Sequence, residues 1–206
     1  MRLATDRAFK SSTRGDTTMT LIDRVKNILL TPKTEWPIVA GETATTQSIF
    51  VAYVLILAAI GPIVLALKGG ALGLTVAVLN YVVILAGTFV LALIVDALAP
   101  SFGGEKNFVQ SLKLVAYSYT AAWIAGIANL LPYIGIIIGL LAAIYTIYTF
   151  YLGAPVLKKC MPEKAVGFTI VVVVCGIILG VVVGGFLLSA MLGGGMAGMS
   201  EFGTIR

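Results

Sequence analysis

Few residues in this 206-residue chain have side chains that could do chemistry. With no histidine, zinc sites built on His and nucleophiles activated by His are excluded. Cys160 and Cys175 would stand about 22 Å apart on one helix, far beyond disulfide reach. Met191, Met196 and Met199 offer thioethers of the kind that hold Cu(I), but no cysteine or histidine accompanies them. No cofactor and no metal are expected. Asp96 is the one acidic residue joined directly to the end of an apolar run. A carboxylate at a helix C-terminus is unfavourable unless paired. Lys113 is its natural partner and Lys106 the second, giving an interfacial, solvated or paired carboxylate with a structural role rather than an intramembrane functional site. Asn80 is the deepest strong hydrogen-bonding residue. With Tyr117, Asn129 and Tyr145 it could line a polar cavity, because hydroxyls and amides in hydrocarbon need partners. The alternative is bonding from helix to helix, with Tyr148 and Tyr151 in an aromatic belt at the membrane surface. No dyad or triad of catalytic type is present, so an enzyme is not expected.

These groups are carried by five stretches without charge: 49–67, 71–95, 114–131, 133–157 and 165–200. About 20 apolar residues of helix cross a hydrocarbon core of about 30 Å. The chain is 59% hydrophobic and 11% charged, whereas a soluble domain is about 25% charged. The fold class is therefore an all-α polytopic membrane protein. Five transmembrane helices are expected at about 48–67, 71–95, 110–130, 133–155 and 166–190. Gly61-Pro62 predicts a kink in the first, and Lys68-Gly69-Gly70 a tight turn after it. Residues 114–157 are 44 without a charge. As one helix they would measure about 66 Å, so Pro132 must split them into a helical hairpin.

Ahead of the spans, Leu21, Ile22, Val25, Ile28 and Leu29 share one helical face, and Asp23, Arg24, Lys26 and Asn27 the other. This amphipathic helix, ended by Pro32, lies in the membrane interface or packs on the cytoplasmic ends of the bundle. Trp36 reads as an interfacial anchor. Residues 1–18 are expected to be disordered or an over-long start, with Met19 as the alternative start. Residues 19–46 form the cytoplasmic helix and the Trp segment, 47–192 the five-span domain, and 193–206 a flexible Gly/Met-rich tail.

Basic residues sort by loop. Seven precede the first span (Arg2, Arg7, Lys10, Arg14, Arg24, Lys26, Lys33). Lys106 and Lys113 follow the second, and Lys158, Lys159 and Lys164 follow the fourth. Only Lys68 and Arg206 remain for the other side, of 14 in all. The bias puts the N-terminus in the cytoplasm and the C-terminus outside. Lys158-Lys159 reads as part of that bias. The net charge of +5 is explained by anionic lipid beside the spans, and no nucleic-acid partner is expected. Gly176, Gly180 and Gly184, four apart, make a smooth strip for close helix approach, within the monomer or between copies. Gly135 and Gly139 repeat it on the fourth span.

Several stretches in order resemble the bacterial branch of the Yip1-domain family. They are Leu21 to Trp36, with its Pro-x-x-x-Trp step, and Gly103 to Phe108 leading to Ala116-Tyr-Ser-Tyr-Thr120 and Trp123. Leu131-Pro132, Ile144 to Tyr148, Tyr151-Leu-Gly-Ala-Pro155 and Pro162-Glu-Lys-Ala165 follow. The resemblance runs from about 20 to 190. It implies a five-span protein with a cytoplasmic N-terminus. It also implies, for eukaryotic members, vesicle traffic through Rab GTPases and one another. This chain has a short basic arm in place of their long N-terminal domain, and only Gly61-Pro62 of their Asp-Leu-x-Gly-Pro signature. The family offers no catalytic residues to map. The expected function is a non-enzymatic inner-membrane protein acting through protein or lipid association. Its partners would be the bilayer and a homo-oligomer or other membrane proteins. The alternative is a small channel or transporter with a polar cavity between spans two, three and four.

Overall fold

The structure, a computed structural model, describes residues 20–131 and 133–202, except the side chains of residues 71, 72 and 186–202. The expectations for residues 1–18 lie outside the described residues, as does the end of the segment 193–206 expected to be a flexible tail, of which residues 193–202 belong to the last helix. Among the described residues all regular structure is helical.

Two short helices come first. Helix α1 (Leu21–Leu30) starts at Thr20, whose hydroxyl accepts from the Asp23 amide, a standard N-cap. Pro32 does end the helical run, but it also opens α2 (Pro32–Gly41), since proline suits a first turn where no amide partner is needed. Four helices are long and apolar enough to cross a membrane: α3 (Thr46–Gly70), α4 (Gly73–Phe102), α7 (Ile134–Lys158) and the first part of α8 (Pro162–Phe202). Between α4 and α7 the chain is helical in pieces: α5 (Phe108–Ser118), α6 (Thr120–Ala125) and a 3-10 turn, Gly126–Leu130. No piece alone spans a bilayer, yet together they run the length of the bundle. Asn107, just before α5, donates its amide to Asp96 near the end of α4 at 2.8 Å, and the Asn129 carbonyl lies 2.7 Å from Lys68 Nζ at the end of α3. Among the described residues the bundle therefore has four long apolar helices, α3 interrupted within its length, and a further path built from shorter helical pieces.

The irregularity of α3 lies where the sequence demands it. Pro62 has no amide for the Ala58 carbonyl, and the helix breaks at Ala59. The Ala59 amide turns to Leu57, and the Leu55 carbonyl is taken instead by the Tyr81 hydroxyl at 2.8 Å. A neighbouring helix thus satisfies backbone that hydrocarbon cannot. The α3–α4 turn is made at Gly70, whose φ of 57° suits glycine.

The buried core gathers at the end of the bundle that holds Asp96. Trp36 and Val39 of α2, Val54 of α3, Val95 of α4, Leu112 and Leu114 of α5 and Phe168 of α8 are all fully buried there. Elsewhere the bundle turns apolar side chains outward, with Ile136, Leu140 and Val181 more than 60% exposed, the inverse of a water-soluble surface.

Two sequence expectations for the N-terminal segment are corrected. Arg24, assigned to the solvated face of α1, is buried at 6% exposure, whereas Ile22 on the assigned apolar face is 74% exposed. Arg24 is buried through its pairing with Glu35 of α2, while Asp23 and Lys26 on the same face remain exposed. Trp36 is no interfacial anchor: it is 0% exposed.

Candidate functional site

Three polar groupings stand out in an otherwise apolar molecule. The first holds the α1–α2 pair to the bundle. Arg24 of α1 makes ion pairs with Glu35 of α2 and with Glu42 just past its end. The guanidinium also lies 5.6 Å from the centroid of the Tyr117 ring, within cation–π range. From α5, Lys113 Nζ donates to the carbonyls of Val39 at 2.8 Å and Glu42 at 2.7 Å, and Gln110 Nε2 to that of Ala40 at 3.1 Å. The last carbonyls of a helix have no partner within it and favour a cation. Lys113 and Gln110 thus cap α2 from a neighbouring helix. Behind them the Tyr53 hydroxyl meets the Thr120 hydroxyl at 2.6 Å, and the Tyr53 and Tyr117 rings meet edge to face at 4.6 Å.

The second grouping ties α4 to α7. Lys158 Nζ lies 2.8 Å from Asp96 Oδ1, with the lysine side chain 0% and the aspartate 20% exposed. The same oxygen accepts from the Asn107 amide and the Ser111 hydroxyl, and Lys158 also donates to the Asn107 carbonyl. The expected Asp96–Lys113 pair is therefore not formed. Ser111 faces Asp96, and two residues on, a helix has turned by about 200°, which points Lys113 at α2. Lys158 is likewise more than loop charge. The α4–α5 loop closes over this pair. Gly103 has φ 77°, and a Cβ on Gly104 would stand 2.7 Å from the Lys158 carbonyl. That carbonyl accepts from the Glu105 amide at 2.8 Å. Cys160, just beyond α7, is buried, and burial pushes its thiol up.

The third is a cavity of about 460 Å³ at the opposite end, lined among others by Lys68, Asn80, Asn129 and Trp123. Among the described residues the Asn80 and Asn129 side-chain amides have no hydrogen-bond partner. Of the four residues expected to line one polar cavity, Asn80 and Asn129 are here and Tyr117 and Tyr145 are not. Tyr117 sits with Arg24, and the Tyr145 hydroxyl donates to the Leu29 carbonyl at 2.7 Å. Nothing in the sequence pattern tells which side of its helix each of these faces.

The glycines separate as well. A Cβ on Gly135 would lie 2.5 Å from the Ala128 carbonyl, so it serves the tight α6–α7 connection. Gly139, Gly180 and Gly184 face open space, and Gly176 is in ordinary contact with Leu91 and Tyr119. The residues that sequence reasoning missed are Glu35, Glu42, Lys158, Tyr53 and Tyr81. One signal was available: Glu35 and Glu42 are seven apart, hence on one side of the helical path, within a chain of nine acidic residues.

The class is thus an all-α polytopic membrane bundle, pinned at one end by buried ion pairs and carrying a docked N-terminal helix pair. The Yip1 domain matches residues 26–185, and the chain belongs to the Yip1 domain family. It is similar to "Inner membrane protein YohC" of Escherichia coli strain K12 and to the protein of that name in strain O6:H1 (CFT073), each 27% identical over 109 residues. That alignment covers 52% of this chain and 56% of the relative, so the chain spans about half the length of the curated relatives it matches. No solved structure matches.

Proposed function

We propose that this is a non-enzymatic constituent of the bacterial inner membrane that acts by association, gathering membrane proteins, further copies of itself or lipid. The observation that carries this is the contrast between its ionisable and its glycine residues. Asp96, Lys158, Arg24, Glu35 and Lys113 are all engaged in joining helices. Gly139 and Gly184 lie on outward apolar faces with nothing within 4 Å of a built Cβ. Outward glycine lets a second helix approach closely in lipid, where packing rather than burial drives association. The inner-membrane location is taken from the relatives' printed name. The loop charges support the reading that the Asp96 end and the N-terminus face the cytoplasm and the C-terminus lies outside. A transporter reading has less support, because the cavity lined by Asn80 and Asn129 is not lined by Tyr117 or Tyr145.

The test is purification from native membrane in mild detergent, with oligomeric mass measured and partners identified. The expected result is a particle larger than the monomer, or a specific partner, lost on Gly139→Leu or Gly184→Leu. A strict monomer without specific partners would sink the association reading.

A further inference from the structure

The cavity at the Lys68 end is not isolated. It is about 460 Å³, and it shares Ile84, Ala122 and Trp123 with an apolar cleft of about 330 Å³ between α4 and α8. A third cleft of about 320 Å³, between α7 and α8, starts at the same Ala122. Leu91, Tyr119 and Gly176 form the ridge between the two clefts. Ala122 is thus the junction of the cavity that holds Lys68, Asn80 and Asn129 and of two apolar clefts of nearly equal size.

We propose that this branched cleft binds one anionic diacyl phospholipid, head in the Lys68 cavity and one acyl chain in each cleft. Three features select that occupant. The first is charge. Lys68 is the basic residue at this mouth, and its ammonium gives one donor to the Asn129 carbonyl at 2.7 Å, which leaves two. The side-chain amides of Asn80 and Asn129 line the same cavity, and their NH2 groups are donors suited to phosphate oxygens. The second is length. From Asn80, about two turns inside α4, to Leu91 at the ridge, α4 rises about 16 Å, about half of a 30 Å hydrocarbon core and so about the length of one acyl chain. The third is number, two apolar branches for two chains. A partner helix would need one straight groove. The proposal deepens the association reading by naming a ligand. Its test measures bound lipid rather than oligomeric mass, so either can fail alone.

The protein is purified in mild detergent and its retained lipid is extracted and quantified by mass spectrometry. Wild type is expected to retain phosphatidylglycerol above its share of the membrane, at about one molecule per chain. Ala122→Phe, which plugs the junction, should remove most of it, while Val78→Phe, on a lipid-facing site outside the cleft, should not. Lys68→Gln, at an exposed position that leaves the fold alone, should cut the preference for anionic over zwitterionic lipid by about threefold. Delipidated wild type should regain thermal stability with phosphatidylglycerol but not with glycerol phosphate, which has the head without the chains. Retention unchanged by Ala122→Phe overturns the proposal. So does a preference untouched by Lys68→Gln, equal rescue by glycerol phosphate, or a protein rather than a lipid lost from Ala122→Phe.

Discussion

The indole of Trp36 donates to the Thr149 carbonyl across 3.1 Å and lies directly on Gly153. Helix α2 is thereby locked to the C-terminal half of α7. The fit is specific: a Cβ on Gly153 would stand 2.6 Å from Trp36 Cε2 and 2.7 Å from Leu114 Cδ1. Large side chains in such a site force neighbours off their rotamers at about 1–3 kcal/mol or more. Gly153→Leu should therefore expel Trp36. Thermal unfolding in detergent should fall by roughly 5–10 °C, from about 2–4 °C per kcal/mol for a chain of this length. Tryptophan emission should shift to the red. Unchanged emission would mean that the ring does not rest there.

Asp96 and Lys158 form a pair that sequence order disguises, 62 positions apart. Removing one partner of a buried pair typically costs about 3–5 kcal/mol, less here because Asp96 is partly exposed. A double-mutant cycle of Asp96→Asn with Lys158→Met should show a coupling of about 1–3 kcal/mol in unfolding free energy. The parallel cycle with Lys113→Met should be additive within about 0.5 kcal/mol. Coupling to Lys113 instead would restore the pair expected from sequence.

Arg24, Glu35, Glu42 and Lys113 balance two positive against two negative charges between α1, α2 and α5. Arg24→Met strands Glu35, which is 2% exposed, and such a stranded charge is strongly destabilising. The α1–α2 pair should then detach while the spans remain, and trypsin should cut at Lys26 and Lys33 many times faster than in wild type. Arg24→Met with Glu35→Leu removes both charges and should recover much of the resistance, since an apolar replacement of a buried pair is often neutral. Failure of the double variant to recover would assign the docking to Lys113 alone.

What the sequence made legible follows from which signals are one-dimensional. Span positions, the Gly70 turn and the break near Pro62 depend on runs and on residues with unusual backbone freedom, and these are read directly from chain order. The apolar run 114–131 was legible, but its breaks at Tyr119 and Gly126 were not, since no proline or charge marks them. Trp36 and Arg24 were misread for a single reason. An amphipathic residue suits a membrane surface and a buried polar contact equally well, and only the neighbour decides. That neighbour is 113 positions away for Trp36. Asp96 was correctly singled out as needing a partner. Its partner was misassigned because helix rotation, not proximity in sequence, selects between Lys113 and Lys158.

Orientation rests on loop charge, and the structure supplies two positions at which to test it. Lys68 is exposed at one end of the bundle, and Lys159 is exposed at the other, 67% by side chain and paired with Glu105 at 2.8 Å. In a background with Cys160 and Cys175 replaced by alanine, Lys68→Cys should react in intact spheroplasts with a maleimide that cannot cross membranes. Lys159→Cys should react only after permeabilisation. Cys160 in the wild type provides the internal control. It is 3% exposed and its thiol is pushed up by burial, so at pH 8 it holds less reactive thiolate than a free cysteine. It should label slowly even in permeabilised membranes and faster after Lys158→Met loosens the end of α7. Labelling of Lys159→Cys in intact spheroplasts, with Lys68→Cys protected, would invert the protein. It would also show that the basic residues follow helix packing here, as Lys113 and Lys158 do, rather than the side of the membrane.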